Sequence, residues 1–255
     1  MKRIIPVIIF LLSLGKSFAQ LNESDTLKYQ LRATLTGNFQ SGNVNLTVVR
    51  SKLDFTFSPH RDWVFKTQNS SLYQSFAAKA DNDIFSRNYL YFKAKNTIYP
   101  FGIAYISTNY RRKIDSRFFV GAGATWRIVK NENTSLKLSA GTVYESTRFN
   151  GSDFNFAEYK GSNEINVWRG TFYSSFSSFI LEKRLRIFYE AFWQPAFDNK
   201  NNYRTEVDFG LEFPVYKGLS FNVLYGFSHE NVVTLKEKQD DRILTFGVGY
   251  NLKKR

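Results

Sequence analysis

Two histidines limit the acid–base and nucleophilic chemistry open to this chain. His229 stands between Ser228 and Glu230, the residue types of a hydrolytic nucleophile, its base and an orienting acid. The surrounding segment alternates in polarity, and neighbours on a strand point to opposite faces, so Ser228 cannot hand its proton to His229. Only a serine from an adjoining strand would rescue a hydrolase. His60 follows Pro59 in Ser58-Pro59-His60-Arg61-Asp62 and reads as a solvated turn residue. No catalytic residue is assigned.

Metal chemistry has equally little to build on. Asp81-Asn82-Asp83 and Asp240-Asp241 offer oxygen ligands, but neither has the glycine and distal glutamate of a calcium loop. The chain has no cysteine, which excludes a disulfide framework, a thiolate metal site and a lipid-attachment residue behind a leader. No metal and no cofactor is expected. The sharpest charged feature is Arg111-Arg112-Lys113, with Arg117 four residues on. Guanidinium groups bind phosphate bidentately, so these four are candidate contacts for lipopolysaccharide phosphates if the segment lies at an external membrane rim.

Elsewhere the basic residues, 35 Lys+Arg against 22 Asp+Glu, are scattered singly rather than clustered, which argues against nucleic acid as a partner. Residues 1–19 carry a basic start (Met1-Lys2-Arg3), an apolar stretch over 4–14 and Ser17-Phe18-Ala19 before Gln20. This is the pattern of a secretory signal peptide cut after Ala19, on the Sec route, and too short to span a bilayer as a helix. Removing Lys2, Arg3 and Lys16 lowers the formal charge from +13 to +10. No linker divides the remainder, so 20–255 is expected to be one domain.

From Tyr203 to Val215 every apolar side chain stands at an odd position, and Arg204, Glu206, Asp208 and Glu212 stand at even ones. A period of two makes a sheet oily on one face and polar on the other. About twelve such segments recur, near 28–39, 44–57, 63–75, 86–95, 101–111, 117–129, 134–147, 164–180, 185–196, 202–215, 219–230 and 241–252. Each is long enough to cross an outer membrane as a tilted strand of roughly 9–11 residues. Connections after even-numbered segments are short. Those after odd-numbered ones include long stretches at 76–85, 149–163 and 231–240, the asymmetry of short periplasmic turns and longer external loops. Helix-period patterning is absent after the leader. The fold class expected is all-β: a transmembrane antiparallel up-and-down barrel of about twelve strands, with ten or fourteen as alternatives, in a Gram-negative outer membrane.

Within that frame, aromatics near segment ends form two interfacial girdles: Trp63, Phe101, Trp126, Phe213 and Tyr250 low, and Phe39, Tyr73, Tyr144, Trp168 and Trp193 high. Strand two changes parity between Leu46/Val48 and Leu53/Phe55/Phe57, which a bulge near 49–51 would reconcile. An open edge in hydrocarbon would leave backbone groups unpaired, so strand twelve is expected to pair with strand one.

Several stretches together resemble the YdiY-like family of salt-induced outer-membrane proteins, a domain of unknown function. They are Gly37-Asn38-Phe39-Gln40-Ser41-Gly42-Asn43-Val44-Asn45, Phe119-Val120-Gly121-Ala122-Gly123, Leu138-Ser139-Ala140-Gly141-Thr142-Val143-Tyr144-Glu145 and Gly247-Val248-Gly249-Tyr250. The resemblance implies an outer-membrane barrel without established enzyme activity and supplies no site residues. The last strand also looks like the terminal signal read by the barrel-assembly machinery, with Lys253-Lys254-Arg255 overhanging.

Parity assigns Arg32, Lys52, Asp54, Lys66, Lys93, Arg127, Lys137, Arg169, Arg186, Glu190, Arg204, Glu206, Asp208 and Glu212 to the lumen. Their mixed signs suggest ion pairs across a narrow or occluded bore, where a uniformly basic lining would suggest anion conduction. The functional expectation is a monomeric envelope-structural or stress-related barrel among outer-membrane lipids. A small passive channel for anions or sugars is the alternative, and a lipid hydrolase comes third.

Overall fold

A computed structural model describes residues 28–42, 45–76 and 79–254; the leader lies outside them. Twelve strands run β1 (Tyr29–Gln40), β2 (Leu46–His60), β3 (Trp63–Phe76), β4 (Lys79–Phe92), β5 (Ile98–Asn109), β6 (Ile114–Lys130), β7 (Thr134–Phe149), β8 (Glu164–Ile180), β9 (Leu185–Pro195), β10 (Tyr203–Tyr216), β11 (Leu219–Glu230) and β12 (Asp240–Lys254). Each pairs antiparallel with its sequence neighbours, and β12 closes on β1 from Tyr29↔Lys254 to Gly37↔Phe246. Closure satisfies every edge, the condition that lipid imposes on a sheet.

The alternation decides which side chain goes where. On β6, Phe118, Val120 and Trp126 are exposed on the outer face while Phe119 and Thr125 are buried inside. On β12, Leu244, Phe246, Val248, Tyr250 and Leu252 are exposed, and Thr245 is buried against Thr36 of β1, with their hydroxyls 2.8 Å apart. Hydrocarbon takes the first set; the second must find partners within the barrel. Turns at one end are tight. Lys217 (φ 38°) and Gly218 (φ 89°) join β10 to β11, both in the left-handed region that a two-residue hairpin requires. A Cβ at Gly218 would stand 2.5 Å from the Asn251 carbonyl oxygen.

Four features depart from the sequence reading. β4 begins at Lys79, so the expected long loop over 76–85 is instead a hairpin in which β3 and β4 pair from Phe76↔Lys79 to Trp63↔Phe92. The run Lys79-Ala80-Asp81-Asn82-Asp83 has no alternating apolar residues, which hides the start of β4 from a hydropathy pattern. β2 has no bulge at 49–51: its register with β1 is unbroken from Tyr29↔Phe57 to Gln40↔Leu46, and Val48 is buried inside the barrel. Phe101 also turns inward, joining Tyr89, Ile103, Phe119 and Val143 in a buried interior cluster rather than the lower girdle. The fourth is Lys93, which sits in the exposed β4–β5 turn with its ammonium 5.2 Å from the Phe92 ring centre, off the lumen wall.

Candidate functional site: an ion-paired interior

Most charged residues at interior positions meet partners from distant strands, contacts that only the inside of a closed barrel permits. On β10, Asp208 accepts from Arg50 Nη2 at 2.9 and 2.8 Å and from Lys52 Nζ at 2.6 Å, both on β2. Two residues away, Glu206 accepts from Arg87 Nη2 of β4 at 2.9 Å. Glu212 takes Arg186 Nη1 at 2.8 Å, while Arg186 Nε donates to Ser177 at 2.7 Å. Glu190 of β9 accepts from Gln68 at 3.2 and 3.3 Å and lies 4.0 Å from Lys66 Nζ.

Higher in the barrel, Glu145 of β7 is 1% exposed. Arg204 Nη2 lies 2.6 Å from it, Arg169 Nη2 3.2 Å and Arg117 Nε 3.8 Å. The Arg204 contact is close in distance yet lacks the alignment of a hydrogen bond, leaving Glu145 Oε2 without one. Arg117 donates to both oxygens of Glu230 at 2.7 and 2.8 Å. Arg112 Nε donates to Asp241 at 3.0 Å, and Arg111 Nη1 donates to its other oxygen at 3.1 Å.

Aromatic rings wall off part of the space between these pairs. Tyr105 and Phe119 stack with centroids 4.4 Å apart. The guanidinium of Arg87 lies 4.1 Å from the Phe192 ring centre, and that of Arg204 5.4 Å from Phe119, geometries that favour a desolvated cation. Gly123 makes room for Phe101: a Cβ there would stand 2.8 Å from the Phe101 ring and 2.3 Å from the Ala140 carbonyl oxygen. A chamber of about 160 Å³ remains among Arg50, Arg87, Arg117, Arg204, Phe119 and Phe192. Below it, Arg32, Asp54, Lys52, Lys66 and Arg186 border a space of about 60 Å³.

The long loops close over the upper end. Phe154, fully buried, pairs as an isolated bridge with Thr234, and Leu235 N–H donates to the Asp153 carbonyl at 2.7 Å. Phe154 packs with Ile114, Phe149, Ile165, Val167, Ala196 and Val232. At the lower end, Tyr99, Val64 and Ala94 are buried together. Arg127 donates to the Lys95 carbonyl at 3.0 Å and also to the Ala94 carbonyl, with its guanidinium 5.4 Å from the Tyr99 ring centre.

Of the four residues expected at an external rim, Arg112 and Arg117 are buried and engaged with Glu230 and Asp241, so the cluster does not stand free as a unit. Arg111 keeps 28% and Lys113 43% side-chain exposure, the latter 3.6 Å from Glu237. Lys137 is buried on the inner face of β7, and Arg169 donates to Asn202 Oδ1 at 2.7 Å. Ser228 and His229 have separate partners: Ser228 Oγ accepts from Arg112 at 3.1 Å, and His229 Nδ1 lies 2.6 Å from Asp240 Oδ1 with its ring stacked on Tyr203.

Arg50, Arg87, Glu145, Glu230 and Asp241 were not among the lumen residues read from sequence. Glu145 shares parity with Lys137 on β7, and Arg50 with Lys52 on β2, so alternation alone could have found both once the bulge in β2 was set aside. Arg87 lay in the least regular segment.

A closed twelve-strand barrel with an apolar belt outside and ion pairs within is an outer-membrane β-barrel, and the outer membrane of a Gram-negative bacterium is its location. Residues 33–252 match the family model described as "Protein of unknown function, DUF481", and the chain belongs to that family. Among solved structures it is similar to the NanC porin, at 12% identity and TM-score 0.51, with 87% of this chain and 100% of that one covered. It is also similar to the translocator domain of the autotransporter NalP from Neisseria meningitidis, at 11% identity and TM-score 0.50, with 89% of each chain covered. No curated protein matches. At these identities the likeness is one of fold.

Proposed function

We propose that this barrel is an envelope-structural protein whose lumen is closed by its own side chains. The observation that carries this reading is the set of cross-barrel ion pairs from Glu145, Glu206, Asp208 and Glu230 to arginines on facing strands. Desolvated charges joined this way are costly to separate, and each pair ties two walls together. The loop bridge at Phe154 and the Tyr99 cluster add closure at either end. The different engagements of Ser228 and His229 support a role without lipid hydrolysis.

A single-channel recording of refolded protein in planar bilayers tests the reading. The expected trace is flat at voltages where porins show steps. Stable chloride-biased steps would instead support a small anion channel, the reading favoured by the arginines lining the 160 Å³ chamber. A lipopolysaccharide contact, if the rim makes one, falls to Arg111 and Lys113. Unchanged lipopolysaccharide co-purification with the Arg111→Gln/Lys113→Gln variant would remove it. Insertion by the barrel-assembly machinery and a mature domain beginning near Gln20 belong to the same proposal.

A further inference from the structure

Most of the outer surface obeys the rule of hydrocarbon in lipid, and one sector breaks it. Lys66, Gln68 and Ser70 of β3 face inward, Gln68 reaching Glu190 across the barrel, so Thr67, Asn69 and Ser71 face outward. On β4, Arg87 and Tyr89 are buried inside, which turns Ser86 and Asn88 out. The register places Thr67 opposite Asn88 and Asn69 opposite Ser86, so the five form one continuous polar patch.

Its height makes it unusual. Trp63 and Tyr73, both exposed, mark the ends of the belt on β3. Ten residues of tilted strand span about 25 Å, the thickness of the apolar band, which sets Asn69 near the bilayer midplane. Corresponding outward positions on β10 and β12 hold Val207, Phe209 and Leu211, and Leu244, Phe246 and Val248. Within the patch, Asn69 Nδ2 donates to Thr67 Oγ1 at 3.1 Å and Asn88 Nδ2 to Ser86 Oγ at 3.1 Å. Both amide oxygens, and one N–H of each amide, remain without a partner among the described residues. Acyl chains cannot supply one.

We propose that the outer faces of β3 and β4 seat a second copy of this chain within the membrane. The patch carries no charge, so its complement is not an ionic headgroup or a charged partner. Asparagine, serine and threonine each donate and accept, and a patch made of them is complementary to itself about a two-fold axis. The adjoining outer face of β5 and β6 holds Gly102, Ala104, Ala122 and Ala124, small residues that let two sheet surfaces approach closely, as they do between membrane helices. Asn69, Ser71 and Ser86 also border an outer recess of about 530 Å³ with Leu35, Leu53 and Ile84, room for the larger side chains of the other copy. On this proposal the barrel is a dimer, where the sequence reading expects a monomer.

A chain without cysteine permits a direct test. Asn69→Cys, Ser71→Cys and Ser86→Cys are introduced singly, with Val223→Cys on the outer face of β11 as control, and native membranes are oxidised with copper phenanthroline. At least one patch variant is expected to give a band of twice the monomer mass, and the control none. In parallel, labelled wild-type barrels in bilayers should bleach in two steps, and Asn69→Leu/Asn88→Leu should lose the two-step events while keeping heat-modifiable mobility. Single-step bleaching of the wild type with no patch crosslink overturns the proposal. So does a crosslink only to a protein of different mass, which would make the occupant another chain.

Discussion

Glu145 on β7 and Arg204 on β10 stand 2.6 Å apart across the barrel, and Arg169 and Arg117 complete a cage of three guanidinium groups around one carboxylate. The acid is the hub: without it, three buried cations face one another with Glu230 as the one carboxylate bonded to them and only the neutral groups of Thr147, Gln194 and Asn202 besides. Removing one partner of a buried charge cluster costs about 3–5 kcal/mol. Glu145→Gln is therefore expected to lower the unfolding free energy in detergent by that much, read from the urea midpoint of the heat-modifiable gel shift. An unchanged midpoint would mean that water already solvates the cage.

Asp208 offers a test of closure rather than stability. It holds Arg50 and Lys52 together on the opposite wall, and its neighbour Glu206 holds Arg87. Asp208→Asn with Glu206→Gln frees Arg50 and Arg87 at the 160 Å³ chamber and Lys52 at the space below it, and removes two negative charges. The expected outcome is anion-selective current where the wild type shows none, with reversal potential shifting toward chloride under a salt gradient. Silence in both proteins would place the block in the loops or the aromatic wall.

How far the sequence reached can be judged strand by strand. β8 and β9 were legible almost to the residue, because Trp168, Phe172, Leu185, Ile187 and Trp193 alternate with Arg169, Ser175, Arg186 and Gln194. β5 was legible as a strand but not in orientation. Tyr99, Phe101, Ile103 and Tyr105 lie on one face, Ile98, Gly102, Ala104 and Ile106 on the other, and with apolar residues on both sides alternation carries no sign. The structure turns the aromatic face inward. Pairing across the lumen was out of reach altogether. Parity says that Glu145 and Arg204 both point inward, but strand tilt and closure decide that they meet.

Gly123 tests whether the inward aromatic cluster is packed or loose. Backbone surrounds the site: a Cβ would come within 2.3 Å of the Ala140 carbonyl oxygen and 2.7 Å of the Gly141 Cα, atoms fixed by the β6–β7 ladder. Overpacking of this kind costs about 1–3 kcal/mol. Gly123→Ala should reduce unfolding stability by that amount in the same gel-shift assay, whereas Gly161→Ala, in an exposed loop and open to space, should act only through its positive φ.

The loops over the barrel mouth give the last test. Phe154 is fully buried between strand ends from β6, β7 and β8, and backbone bonds from Leu235 to Asp153 and from Asn155 to Val233 lock the two long loops together. Tyr159 reinforces this corner, its hydroxyl 3.0 Å from both Asn199 Nδ2 and Asn202 Nδ2. Truncating a buried phenylalanine costs about 3–5 kcal/mol when the site cannot collapse, but loops held at a rim can release instead of strain. Phe154→Ala should therefore leave the barrel's heat-modifiable mobility nearly intact while opening residues 150–163 and 231–239 to protease added outside whole cells. The cleavage rate should rise at least tenfold, and Lys160, Lys236 and Lys238 provide tryptic sites that report it. If cleavage is unchanged while the barrel unfolds more readily, Phe154 belongs to the barrel's own core and the loops do not move as a unit.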